Sequence, residues 1–195
     1  IELSGGNLLI LLILVAIITI IMGCGLPALL PYIVQIPVTI PALIQMGVPT
    51  MAAHLFVVYY ATLAFITPPV GGALYAAMAM SNSSLMEIGK EAVKIALPGF
   101  LAPFMFVYIP DLLLITEFGI SSFLMVLTAI LGIIILASSV EGYLFNHLSI
   151  PMRLLFAVAA LLLIVPNNLI GVATIAVLAI LFFFNMKKTN SSLIK

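Results

Sequence analysis

From Leu3 to Met86 the chain runs for 84 residues without a single Asp, Glu, Lys or Arg. A water-soluble domain of ordinary composition carries about 25 % charged residues to cover its surface. Here DEKR make up 6 % of 195 residues and AVILMFWYC 65 %. Each membrane-spanning helix needs about 20 apolar residues, so this stretch implies several segments at membrane depth. The composition sets aside soluble, disordered and nucleic-acid-binding classes and predicts an all-α integral membrane protein, with the lipid bilayer as its solvent. Six basic residues balance six acidic ones, so no polybasic patch points to nucleic acid. The single Cys24 has no intrachain disulfide partner. Ile1 stands where an initiator Met is expected and no signal-peptide pattern is present, which suggests a piece of a longer chain extending on the N-terminal side.

The apolar segments fall into two kinds. Residues 97–115, 121–140, 152–165 and 169–184 read as ordinary spanning helices, divided by small polar groups. The first 80 residues do not. Leu8 to Met22 covers roughly 22 Å as a helix, short of a hydrocarbon core of about 30 Å. It stops at Gly23-Cys24-Gly25-Leu26-Pro27, and the return segment carries Pro31, Pro37 and Pro41 before ending at Gly47-Val48-Pro49. A further apolar helix, Met51 to Ile66, runs into Thr67-Pro68-Pro69-Val70-Gly71-Gly72 and resumes at Ala73. Broken helices at membrane depth survive only inside protein or beside a watery cavity, because lipid does not hydrogen-bond a bare backbone. The pattern predicts a re-entrant hairpin over about 7–46, with its tip at Gly23 to Leu29. A discontinuous helix over about 50–80, broken at 67–72, follows it. The competing view is that Gly and Pro merely kink ordinary spans.

Charge gives an orientation. With 85–94 taken as cytoplasmic, four later spans place Arg153, Lys187, Lys188 and Lys195 on the same side as Lys90 and Lys94. Asp111 and Glu117 fall on the other side, and the hairpin opens outward. In the segment 84–94, Glu87, Lys90, Glu91 and Lys94 are spaced three and four apart, with Ser81 to Ser84 offering an N-cap. It reads as an interfacial helix, either a solvated connector or a lever. Three regions follow: the hairpin and broken helix over 1–80, the interfacial connector and the span after it over 81–118, and a C-terminal extension with three spans over 119–195.

Helix ends at membrane depth expose carbonyl oxygens at one pole and N–H groups at the other, and the carbonyl pole suits a cation. Sodium needs several oxygen ligands and no formal charge. The candidates are Gly23, Gly25 and Pro27 at the tip, and Thr67, Pro68 and Gly71 at the break, contributing mainly main-chain oxygen. His54, Tyr59 and Gln35 are candidates for a substrate path. Each has a plainer reading: His54 as a hydrogen-bonded or interfacial ring, Tyr59 and Tyr60 as packing or lipid-interface rings, Gln35 and Gln45 as bonds to a neighbouring helix. Hydrolytic patterns such as Gly-x-Ser-x-Gly and His-Glu-x-x-His are absent, so no enzyme is expected; a Cys24 nucleophile with His54 as base is the weakest alternative.

The ordered set Gly23-Cys24-Gly25-Leu26-Pro27, Pro31, Pro41-Ala42-Leu43, Gly47-Val48-Pro49, Ala52-Ala53-His54-Leu55-Phe56, Ile66-Thr67-Pro68-Pro69-Val70, Ala73-x-Tyr75-Ala76-Ala77 and Pro103 to Tyr108 resembles the C-terminal part of the fused membrane permease of TRAP transporters, in the TAXI-type branch. The resemblance covers residues 1–115, with weaker likeness around Glu141-Gly142-Tyr143-Leu144 and beyond. It implies half of an inverted-repeat, elevator-type secondary transporter in the bacterial inner membrane, with 1–80 as half of the transport unit and a scaffold helix within 81–118. A periplasmic substrate-binding protein would deliver an organic anion such as a carboxylate, and a sodium or proton gradient would drive uptake, with Na+ as coupling ion and no other cofactor. The N-terminal half of the same permease would complete the substrate site. Members commonly carry Met where this chain has Cys24. The alternative from another class is a non-transporting membrane subunit or assembly protein whose helix breaks are only structural.

Overall fold

A computed structural model describes residues 2–113, 119–144, 146–164 and 174. The span expected at 169–184, the end of that at 97–115, Glu117, and Lys187, Lys188 and Lys195 lie outside the described residues. The chain divides into two compact units, Ile1–Thr116 and Glu117–Lys195.

In the first unit α1 (Leu8–Gly23) starts at Asn7, whose side chain accepts from the Ile10 N–H at 3.2 Å. Its 16 residues rise about 24 Å. Leu11, Leu12, Val15, Ala16, Thr19 and Gly23 are buried, the spacing of one helical face. The other face is just as apolar: Leu9, Ile10, Ile13, Ile17, Ile18 and Ile21 are each between 43 % and 66 % exposed. A helix apolar all round belongs in lipid or inside a larger assembly.

The return segment forms two short helices, α2 (Leu29–Gln35) and α3 (Thr39–Gln45). Pro31 and Pro41 sit in their first turns, where a missing N–H leaves no intrahelical bond unmade. Pro37 has no donor to carry the ladder onward, and the helix restarts at Thr39.

Next, α4 (Thr50–Leu63) extends through a 3₁₀ turn, Ala64–Ile66. After Thr67 to Gly71 the chain resumes as α5 (Gly72–Met80). The Pro68–Pro69 peptide bond is cis. Packed against α1, α2, α3 and α6, α4 is the centre of this unit. It buries Ala52, Ala53, Phe56, Val57, Tyr60, Ala61 and Ala64 on one stripe. Lipid tails are as apolar as Leu, so contact here rests on close packing and interhelical hydrogen bonds rather than on leaving water. The small residues allow that closeness. The Tyr60 hydroxyl supplies one such bond, donating to the Phe100 carbonyl at 2.5 Å.

One expectation is corrected at α6 (Leu85–Tyr108). The interfacial helix and the following span are one continuous helix of 24 residues, about 36 Å long. Nothing from Lys94 to Leu97 interrupts the ladder, and Pro98 and Pro103 each remove one donor without ending it. A reciprocal cap holds its start: the Ser84 hydroxyl faces the Glu87 N–H, while the Ser84 N–H donates to the Glu87 carboxylate at 2.8 Å. Pro110 follows the last turn and opens a 3₁₀ segment, Pro110–Leu113.

In the second unit α7 (Ile120–Glu141) is apolar and about 33 Å long; with α6 it is one of two helices among the described residues able to cross a membrane by length and composition. It packs on α8 (Ile150–Ile164). A short ribbon of β1 (Tyr143–Leu144) and β2 (Asn146–His147) joins them within an architecture that is otherwise all-helical among the described residues, as expected. Gly142 ends α7 with φ +79°, a left-handed stop that turns the chain into the ribbon. The Arg153 guanidinium then donates to the Ser139 and Val140 carbonyls at 2.9 and 2.6 Å. A cation at a helix C-terminus is favoured by the dipole as well as by these bonds.

Candidate functional site

The tip of the hairpin is built from two glycines doing different work. Gly23 closes α1, and the next turn is held by Cys24 N–H to Ile21 O at 3.3 Å and Leu26 N–H to Gly23 O at 3.2 Å. Gly25 has φ +75°, a conformation that an L side chain strains to adopt. Pro27 opens the return; it is exposed, and its carbonyl accepts from Leu30 N–H at 3.0 Å.

The break is built by folding back on a helix end. Thr67 N–H donates to Ala64 O at 3.2 Å, and the Thr67 hydroxyl donates to Leu63 O at 2.8 Å. That hydroxyl keeps lone pairs for another partner. Gly71 is buried with its Cα against the Phe65 carbonyl: a Cβ there would lie 2.6 Å from that oxygen. Gly72 faces the Phe65 ring, 2.9 Å from where its Cβ would stand.

These two constructions meet. A Cβ built on Gly23 would stand 2.6 Å from Ala64 Cβ, and one on Gly25 would stand 3.2 Å from Val70 Cγ1. Tip and break are thus in van der Waals contact, with the C-terminal ends of α1 and of the α4 extension converging on one place. Each such end carries about half a negative elementary charge. The N-termini of α2 and α5 begin just beyond, so the cluster also offers the opposite pole. Among the described residues no three of His, Cys, Asp and Glu group as metal ligands.

Of the three path candidates, Gln35 adjoins this cluster through Thr19 and Pro31, while His54 and Tyr59 stand further back along α4. His54 Nδ1 is hydrogen-bonded to the Tyr32 hydroxyl at 2.9 Å, linking α4 to α2. His54 precedes Ala64 by ten residues, about 15 Å along the helix. Tyr59 is half-buried, edge-on to Phe106 at 6.2 Å between ring centres. Gln35 is buried and ties the hairpin arms together. Its Oε1 lies 2.9 Å from Thr19 Oγ1 and 3.3 Å from Thr39 Oγ1, and its Nε2 donates to Pro31 O at 3.1 Å. Thr19 also reaches Val15 O at 2.6 Å, so its one proton serves either acceptor. Gln45 is exposed.

Sequence reasoning missed Thr19, Ala64, Phe65 and Gly89 as parts of this region. Thr19 had a usable signal. It is the one polar side chain in α1 and sits four residues before Gly23, on the buried face. The rest show themselves only once the chain is folded.

The model of one protein family, described as "Tripartite ATP-independent periplasmic transporter, DctM component", matches residues 1–121. No curated protein and no solved structure matches the chain. The matched segment takes in the hairpin, the break, α5 and α6. The chain therefore belongs to the DctM family, the membrane permease component of tripartite ATP-independent periplasmic transporters.

Proposed function

We propose that this chain is the C-terminal portion of a fused permease of the TAXI-type branch and carries half of its elevator-type transport unit. Membership already makes it a transporter component that works with a substrate-binding protein and a membrane partner. In our reading the uptake is of organic anions such as carboxylates, delivered on the periplasmic face of the bacterial inner membrane. Lys90, Lys94 and Arg153 face the cytoplasm, as the positive-inside rule expects. The hairpin α1–α3 is re-entrant: with about 24 Å in α1 it falls short of the hydrocarbon core. The inverted-repeat partner half completes the substrate site.

The observation that carries the reading is the contact of tip and break, Gly23 on Ala64 and Gly25 on Val70. Two half-helix C-termini at one place, flanked by bare glycine backbone and the Thr67 hydroxyl, form a neutral oxygen-rich setting. That setting suits sodium better than a proton, which needs a titratable group to hold it. Sodium bound there offsets the helix-end charge, locks tip against break and lowers the cost of moving the unit through hydrocarbon. Helix N-termini at the same cluster suit the substrate carboxylate. The family match also weighs against a purely structural role for the breaks.

The test is uptake by the intact permease in vesicles, using a carboxylate that its binding protein retains. Thr67→Val and Gly25→Val are expected to abolish sodium-dependent uptake while membrane insertion stays normal. Unchanged uptake in both variants would remove the cation-site assignment.

A further inference from the structure

The break is seated on a second glycine that lies far from it in sequence. Gly89 is buried in α6, in the turn after the Ser84–Glu87 cap. A Cβ built on it would overlap Pro68 Cγ and stand 3.2 Å from both Pro68 Cδ and Leu74 Cδ1. Leu74, only 2 % exposed, is pressed equally hard from the other side: its Cγ is 2.9 Å from a Cβ built on Gly71. Leu74 is therefore wedged between two bare stretches of backbone, at Gly71 and at Gly89, and Pro68 is seated against the second. A proline ring has no rotamer by which to step aside, unlike the tip of a long side chain. Its position, and with it the adjoining Thr67 hydroxyl and carbonyl, follows the wall that α6 presents.

We propose that Gly89 is a positioning residue for the cation-binding break: it seats Pro68 so that Thr67 is held at the geometry the ion requires. This ties the exposed charged turns of α6 to the ion site. It rests on the reading of the break as a sodium site, and it adds that a residue outside that site sets its affinity.

The test is a sodium titration of the unfolding temperature of the intact purified transporter, with sodium replaced by choline. Gly89→Ala is expected to raise the sodium midpoint about tenfold, the effect of a modest overpacking strain. Gly99→Ala, in the same helix, is the matched control. Its new methyl has nothing closer than Tyr59 Oη at 3.9 Å, and it should leave the midpoint unchanged. Removing the ring it strikes should cancel the effect: Pro68→Ala with Gly89→Ala should share the midpoint of Pro68→Ala alone. A loss of general packing would lower the sodium-free unfolding temperature but would not produce that cancellation. A wild-type transporter without any sodium shift overturns the sodium reading and this inference together. A wild-type shift with the same midpoint in Gly89→Ala, or with the two substitutions acting independently, overturns the inference alone.

Discussion

The closest approach between tip and break is at Gly23, where a methyl would stand 2.6 Å from Ala64 Cβ. Carbon atoms settle at about 3.5–4.0 Å, so Gly23→Ala forces α1 and the α4 extension apart by about 1 Å. Overpacking of that kind costs about 1–3 kcal/mol. Against it stands the helix propensity gained from Gly to Ala, about 1 kcal/mol in a helix interior and less at its last residue. Gly99→Ala isolates that gain, since its methyl meets nothing closer than an ordinary contact with Tyr59 Oη at 3.9 Å. The two variants should therefore differ by about 1–3 kcal/mol, with Gly23→Ala the less stable. Equilibrium unfolding in mixed micelles measures the difference. Ala64→Gly moves the missing methyl to the other side of the contact and should recover most of the loss, a coupling of at least about 1 kcal/mol. Equal stability of Gly23→Ala and Gly99→Ala, or no recovery with Ala64→Gly, refutes the packing argument.

Three other perturbations address different parts of the fold. Tyr60→Phe removes the bond to Phe100 O and should cost about 0.6 kcal/mol, the average for hydrogen bonds between helices in lipid, and at most about 1.7 kcal/mol, measured by the same unfolding assay. Arg153→Met takes two donors from the last carbonyls of α7, and amide exchange should rise in residues 138–142 while α6 stays protected. Glu87 lies in the water-facing first turn of α6, where the Ser84 backbone N–H, then its hydroxyl, then Lys90 hold the carboxyl below its usual range. A lowered folded-state pKa means the cap is intact above the ordinary carboxylate range and weakens as pH falls through the lowered value. Exchange at residues 85–88 should increase on acidification in the native chain and lose that pH response in Glu87→Gln.

Local punctuation was the most legible part of this chain. The charge-free stretch and the positions of Gly and Pro mark where helices stop, because a missing N–H or a left-handed φ acts within one turn. So α1 runs from Leu8 to Gly23, and the 3₁₀ turn ends at Ile66 just before Thr67-Pro68-Pro69. What sequence left open depends on partners distant along the chain. Gln35 read equally as a path residue or a bond to a neighbour, and only the fold brings Thr19 beside it, 16 residues earlier. Gly89 drew no reading of its own within the charged connector, and its meaning comes from Pro68 and Leu74 lying against it. The division of 84–94 from 97–115 failed for another reason. Charge marks where a helix leaves the lipid, but does not break the helix itself. The ribbon at Tyr143 to His147 was hidden similarly, since two-residue strands carry no periodicity of their own.

If tip and break together bind a cation through neutral oxygen, the intact transporter should bind radiolabelled sodium at equilibrium. Two threonines on the same helical run provide the contrast. Thr62 is exposed and its hydroxyl donates to Val58 O at 2.9 Å; Thr67 makes the same backbone bond to Leu63 O at 2.8 Å, but at the break. Saturable binding should survive Thr62→Val and disappear in Thr67→Val. Equal binding in both variants, or none in the wild type, would contradict the cation site.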